Sequence, residues 1–152
     1  MRILIQRVKH ASVTIDGKLH SSIGKGFLAL VGFCQEDVEA YLEPMAEKMT
    51  GLRIFTDDED KMNLALKDVD GELLAVSQFT LYADCKKGKR PSFVGAKKPD
   101  EAEMLYEKFV DICSQKLGKE VKTGVFGADM KVELLNDGPV TIMLDSNEIV
   151  KK

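Results

Sequence analysis

Tryptophan is absent from this chain, and histidine (two), cysteine (three) and proline (four) are scarce. Each shortage removes a class of chemistry. His10 and His20 are not accompanied by a Gly-x-Ser-x-Gly elbow, so a histidine-based triad is not expected. There is no HExxH, no phosphate loop and no GxGxxG opening a helix. Cys34, Cys85 and Cys113 are odd in number and lack CxxC spacing, which argues against a disulfide framework and a structural zinc site. Cys113 falls on an apolar helix face and Cys34 ends an apolar strand, so both read as packed. Only Cys85, beside Lys86 and Lys87, has neighbours that would lower a thiol pKa, and it is not read as catalytic. The acidic turn Asp57-Asp58-Glu59-Asp60 lacks the ligand spacing and glycine of a calcium loop. No metal and no cofactor is expected.

Long apolar runs are missing too. Nothing approaches the roughly 20 residues that a membrane helix needs. The opening Met1 to Ile5 is broken at once by Gln6, Arg7 and Lys9. A cytoplasmic protein without a membrane partner is the expectation. The 152 residues, 44% hydrophobic and 31% charged, suit one globular domain spanning 1–152. The formal net charge of −3 argues against coating nucleic acid by bulk charge. Its distribution is uneven, because Cys85 to Pro99 holds Lys86, Lys87, Lys89, Arg90, Lys97 and Lys98 and no acid. Such a stretch is either a solvated loop or a phosphate-contacting edge.

Periodicity places the elements. Residues 2–8 and Ala11 to Ile15 read as strands with a turn at Asp16-Gly17, and Phe27 to Phe33 as a buried strand. Asp37 is the expected cap of a helix reaching Met49, with Pro44 forcing a kink or a late start. Short strands are expected at Leu52 to Phe55 and Glu72 to Leu81. Asp100 with Glu103 resembles a capping box just after Pro99, and an apolar face from Ala102 to Leu117 ends at Gly118. Strands at Val121 to Phe126, Met130 to Leu135 and Val140 to Asp145 complete the chain. Strands in runs, with two helices set apart, indicate an α+β fold with antiparallel sheets.

Two segments carry candidate chemistry. Asn136-Asp137-Gly138-Pro139-Val140-Thr141 sets a Gly-Pro pair between two apolar runs, where a plain hairpin prefers Asn-Gly or Asp-Gly. Proline removes a donor and glycine removes a Cβ, so a turn of bare main-chain carbonyls is expected there. Ser77-Gln78-Phe79-Thr80-Leu81 interrupts a buried strand with three polar side chains, which must find partners or serve a site. Thr80 alone reads as an ordinary strand threonine.

Together these segments resemble the two signature motifs of the D-aminoacyl-tRNA deacylase (D-tyrosyl-tRNA(Tyr) deacylase) family. Lys87-Gly88-Lys89-Arg90-Pro91-Ser92-Phe93, Gly124-Val125-Phe126-Gly127-Ala128-Asp129-Met130 and the opening with Gln6-Arg7-Val8 are similar to that family as well. The resemblance runs nearly end to end. It implies a compact barrel-like β structure, antiparallel or mixed, with two main flanking helices, and a homodimer with active sites shared at the interface. It implies hydrolysis of D-aminoacyl esters, and of glycyl esters mischarged onto tRNA, at the aminoacylated 3′ end. Ser77, Gln78, Phe79 and Thr80 would form the catalytic segment. Gly138 and Pro139 of one protomer, through a cis bond held by Arg7, would enter the other's pocket as a chiral filter. Phe126 and Met130 would line a pocket for the terminal adenosine, and Lys86, Lys87, Lys89 and Arg90 would contact tRNA.

With no strong base in the motifs, such a reaction would run on orientation and oxyanion stabilisation, with the main-chain N–H groups around Phe79 and Thr80 as donors. Thr80 is open to two roles, nucleophile or positioning residue beside the tRNA 2′-OH; the second is favoured because no base adjoins it. Three other readings stand beside this one. They are an RNA-binding module without turnover, a general ester or thioester hydrolase, and a related deacylase clearing L-alanine through a trans turn.

Overall fold

Strand β1 (Arg2–Ile15) lends one edge to two partners and the other edge to a third, and the rest of the fold is arranged around it. The computed structural model describes residues 1–150; the expected domain 1–152 includes two residues that lie outside them. After β1 come β2 (Lys18–Ile23), β3 (Gly26–Gly32), a 3₁₀ turn at Glu39–Tyr41 and α1 (Leu42–Gly51). The small hairpin β4 (Phe55–Thr56) and β5 (Met62–Leu64) follows, then β6 (Glu72–Ser77) and a 3₁₀ turn at Phe79–Tyr82. The chain closes with α2 (Pro99–Leu117), β7 (Lys122–Thr123), β8 (Lys131–Asp145) and α3 (Ser146–Ile149).

The main sheet runs β2-β1-β3-β6-β7, with β8 along the far edge of β1. It is mixed, as the resemblance allows, and not wholly antiparallel as the strand pattern alone suggests: β6 lies parallel to β3, and β7 parallel to β6. A parallel neighbour needs a crossover, and the segment containing α1 supplies it. Ser21 Oγ donates to the Thr123 carbonyl at 2.7 Å, tying β2 to β7. The two ends of the strand order thus approach each other, and the sheet curls into a nearly closed barrel.

Side-chain alternation along β1 divides the apolar residues into two cores. Ile3 and Ile5 face α1 and α2 together with Phe27, Met45, Phe55 and Phe109, and the Phe27 and Phe55 rings stack with centroids 5.2 Å apart. Val8 faces the barrel interior with Leu28, Leu74 and Val76. A register shift between Val8 and His10 turns Ala11 and Val13 to that same interior. Each fully buried Leu, Ile or Phe contributes about 1.5–3 kcal/mol, so both cores matter to stability.

Several local expectations change. The segments 2–8 and 11–15 form a single strand, because β8 offers an edge long enough to pair both. Asp37 does not cap a helix. Its buried carboxylate receives the Met1 ammonium at 2.5 Å and the Cys34 N–H at 2.7 Å, while Met1 also donates to Ser146 Oγ at 2.8 Å. Helix α1 starts late, with Pro44 in its first turn, where a missing N–H costs no helical bond. Pro99 is the first residue of α2 and no side chain caps it; Asp100 and Glu101 act on the helix end by charge. Gly118 ends α2 at φ 69°. The strand expected from Leu52 lies at Phe55–Thr56, and the turn after it is closed by Asp57 Oδ1, which accepts the N–H groups of Glu59 and Lys61. No metal-ligating cluster occurs among the described residues. The strands expected at Val121 to Phe126 and Met130 to Leu135 shrink to β7 and merge into β8.

Candidate active site

A cavity of about 390 Å³ opens at one end of the barrel, between the ends of β3 and β6 and the segment running into β8. Ser77, Gln78 and Phe79 line it, together with Phe126 and Met130. The strand expected to reach Leu81 ends at Ser77. The Gln78 N–H donates to the Val31 carbonyl at 2.8 Å, and β3 finishes one residue later, so further strand would have no partner. The chain curls instead: Leu81 N–H reaches the Gln78 carbonyl at 3.4 Å and Ala83 N–H the Thr80 carbonyl at 3.1 Å. Gly32 makes this possible, since a Cβ there would lie 2.6 Å from the Gln78 carbonyl oxygen and 3.2 Å from Leu81 Cβ.

Thr80 sits exposed at the rim and does not line the cavity. Its hydroxyl donates to Gln78 Oε1 at 2.6 Å, which leaves the oxygen lone pairs as acceptors directed elsewhere. The main-chain N–H groups of Phe79 and Thr80 open a helical turn, where no carbonyl within the turn can receive them. Arg2 secures the far end of that turn. Its Nη1 donates to the Leu81 carbonyl at 2.8 Å, its guanidinium lies 4.6 Å from the Tyr82 ring centroid, and Nε bonds Asp145 at 3.2 Å.

Phe126 leans on Tyr106 with centroids 6.1 Å apart, and the Tyr106 hydroxyl donates to the Ala75 carbonyl. Burial raises the Tyr106 and Tyr82 hydroxyls well above the usual phenol range, so neither serves as a base. Burial likewise pushes the Cys113 thiol up to about 12, in keeping with its place in the core. Cys34 is only half-buried, and its thiol is also raised, first by desolvation and then by Asp37. Among the described residues Asp129 is the sole ionisable side chain lining the cavity, and its exposed carboxylate pairs with Lys131 at 3.1 Å. His10 and His20 are exposed and line no part of it.

The Gly138-Pro139 peptide is cis and lies within β8, not at a hairpin tip. Asn136 pairs with Val8 and Thr141 with Gln6, so residues 137–140 bulge out opposite the single residue Arg7. Side chains and main chain hold the bulge from below. Arg7, 8% exposed, donates from Nε to the Asp137 carbonyl at 2.9 Å and from Nη1 to the Ile54 carbonyl at 2.7 Å. Asn136 Oδ1 accepts the Val140 N–H at 3.0 Å, while its amide donates to Gln6 Oε1 at 2.6 Å and Thr141 Oγ1 at 3.1 Å. Gly138 has φ +133°, and a Cβ there would meet Val140 Cγ2 at 2.9 Å and Arg7 Nη2 at 3.0 Å.

The fold therefore gathers Ser77, Gln78, Phe79, Phe126 and Met130 around one cavity and places Thr80 beside it. Gly138 and Pro139 are not brought to that cavity within the same chain. Gln6 and Arg7 explain why: adjacent strand residues face opposite ways, so Gln6 lines the cavity while Arg7 grips the bulge from the other face of β1. Lys86, Lys87, Lys89 and Arg90 are exposed in a loop beyond the 3₁₀ turn, and none is in an ion pair among the described residues. Arg2, Gln6, Asn136 and Asp129 are members of the site that the sequence reading assigned no role. Asn136 is legible as the first residue of the segment that sets Gly-Pro between two apolar runs; Arg2 is not legible.

The family model described as D-Tyr-tRNA(Tyr) deacylase matches residues 4–145. A curated protein of Parabacteroides distasonis named "D-aminoacyl-tRNA deacylase" is 56% identical over 146 residues, covering 96% of this chain and 97% of its own length. One of the same name from Clostridium perfringens is 53% identical over 148 residues, covering 97% and 99%. A solved structure described as "c-Myc DNA Unwinding Element Binding Protein" superposes with a TM-score of 0.89 at 40% identity, covering 95% of this chain and 98% of that one. Another, described as a probable eukaryotic D-amino acid tRNA deacylase, gives a TM-score of 0.82 at 18% identity and shares the fold.

Proposed function

This chain belongs to the D-Tyr-tRNA(Tyr) deacylase family, a family of hydrolases, and on that premise we propose that it removes D-amino acids esterified to tRNA. The observation that carries the reading is the cavity bounded by Ser77, Gln78 and Phe79, with the Thr80 hydroxyl at its rim and no histidine among the described residues that line it. Water adds to the ester carbonyl carbon, the ribose 3′-oxygen departs with a proton, and free D-amino acid and tRNA result. The Phe79 and Thr80 N–H groups stabilise the oxyanion of the tetrahedral intermediate. Thr80 positions water or the substrate 2′-OH, its own proton being committed to Gln78. Phe126 and Met130 hold the terminal adenosine, and Lys86, Lys87, Lys89 and Arg90 meet the phosphates behind it.

Stereochemistry comes from a second copy of the chain, whose Gly138-Pro139 bulge enters the cavity mouth. Its carbonyls take the α-ammonium, an L side chain collides with main chain, and a D side chain or glycine's hydrogen does not. Two features support this arrangement. Gly138 and Pro139 do not line the cavity of their own chain, and an apolar stripe beside that cavity is only partly covered. Leu30, Leu4 and Met143 are directly paired across β3, β1 and β8, so they share a face, and Met143 is 46% exposed. A homodimer joined on that face sets each bulge at the other's cavity.

A deacylation time course on D-tyrosyl-, L-tyrosyl- and glycyl-tRNA tests the reading. Loss of the D and glycyl esters with the L ester spared is the expected result. Equal loss of D and L esters would make this a general esterase, and RNA binding without any hydrolysis would make it a binding module.

A further inference from the structure

We propose that the rings of Phe79 and Phe93 form a stacking platform for the nucleotide immediately 5′ of the aminoacylated one; this rests on the deacylase reading above. Phe79 is 55% exposed and Phe93 38%, yet the two rings are in edge-to-face contact, 5.1 Å between centroids at 75°. Scattered exposed apolar residues need no explanation. Two aromatic rings packed on each other in solvent, with Val94 78% exposed beside them, do.

Their position points to the occupant. Phe79 lines the cavity mouth and Phe93 lies one ring further out. A chain whose terminal nucleoside fills the cavity passes its preceding nucleotide over this pair. The loop carrying Phe93 is held in place: Asp84 and Ser92 exchange main-chain hydrogen bonds of 2.7 and 2.9 Å, Gln35 N–H donates to the Gly95 carbonyl, and Lys97 N–H to the Phe33 carbonyl. The same loop supplies four exposed cations, Lys86, Lys87, Lys89 and Arg90, which complement a phosphate backbone. A single-stranded 3′ end has unstacked bases, and aromatic stacking accepts any of them. The platform thus adds affinity for an RNA end without reading its sequence.

The test compares three D-tyrosyl esters, of adenosine, of a CCA trinucleotide and of tRNA, on native protein, Phe93→Ala and Phe93→Tyr. In Phe93→Ala, the ratio of kcat/KM for trinucleotide over adenosine ester should fall about tenfold, carried by KM, with the tRNA ester following. Phe93→Tyr keeps a ring and should keep the native ratio. An unchanged ratio in Phe93→Ala would overturn the proposal, whether all three esters suffer equally or none does. So would a shift of Phe93→Ala to monomer in sedimentation, since a second copy would then cover the rings. Native activity on the adenosine ester tests the deacylase reading separately, because that ester has no neighbouring nucleotide.

Discussion

Around Thr80 the chain presents side chains with few partners, whereas around Gly138 it presents main chain with many. Thr80 is exposed, and among the described residues its hydroxyl bonds only to Gln78. The bulge at residues 137–140 is exposed on top but held underneath by Arg7, Asn136 and, through Asn136, Gln6. The contrast separates two tasks. Groups that follow a reacting ester need room to be approached, and a surface that rejects one enantiomer must not yield. Under the proposed function the first task falls to a short turn at a strand end, and the second to a bulge inside a long antiparallel ladder.

Breaking the clamp should have the largest effect. Arg7→Ala removes two charge-assisted hydrogen bonds from a nearly buried guanidinium, so a loss of about 2–4 kcal/mol in urea unfolding is expected. D-ester hydrolysis should fall with it, even at temperatures where the variant remains folded. Gly138→Ala is a milder break. Its new Cβ contacts Val140 and Arg7 at a φ that disfavours side chains, for about 1–3 kcal/mol of destabilisation and a loss of D-activity of about 10²-fold. On the other half, Thr80→Ala should leave stability within about 0.5 kcal/mol of native while lowering kcat. Thr80→Ser keeps the hydroxyl and should retain most of the rate. If Thr80→Ala proves as destabilising as Arg7→Ala, the division between an open half and a clamped half is wrong.

The two halves also differed in how far they were legible. Polar residues interrupting a buried strand flagged Ser77, Gln78 and Thr80, and the resemblance assigned Phe126 and Met130; four of these five line the cavity and Thr80 sits at its rim. The strand was nevertheless drawn four residues too long, because its end is set by where the partner strand β3 runs out, which is a tertiary fact. Helix α2 and its end at Gly118 were readable from local periodicity and a glycine at positive φ. The bulge was read as a turn between strands for the opposite reason. Gly-Pro announces a break in pairing, and only the uninterrupted length of β1 shows that β8 resumes on the same partner. Asp37 escaped as well, since its partner is the Met1 ammonium, 36 residues away.

Mixing Thr80→Ala with Gly138→Ala protein tests most directly whether the open half and the clamped half of one site come from different copies of the chain. Each variant alone is impaired at both sites of a symmetric dimer. In a mixed dimer, the native cavity of the Gly138→Ala chain meets the native bulge of the Thr80→Ala chain. After random exchange of subunits, D-tyrosyl-tRNA hydrolysis should recover to about a quarter of the native rate, because half the dimers are mixed and each has one intact site. No recovery, with subunit exchange confirmed by mass spectrometry, would show that cavity and bulge act within one chain and would contradict the shared site.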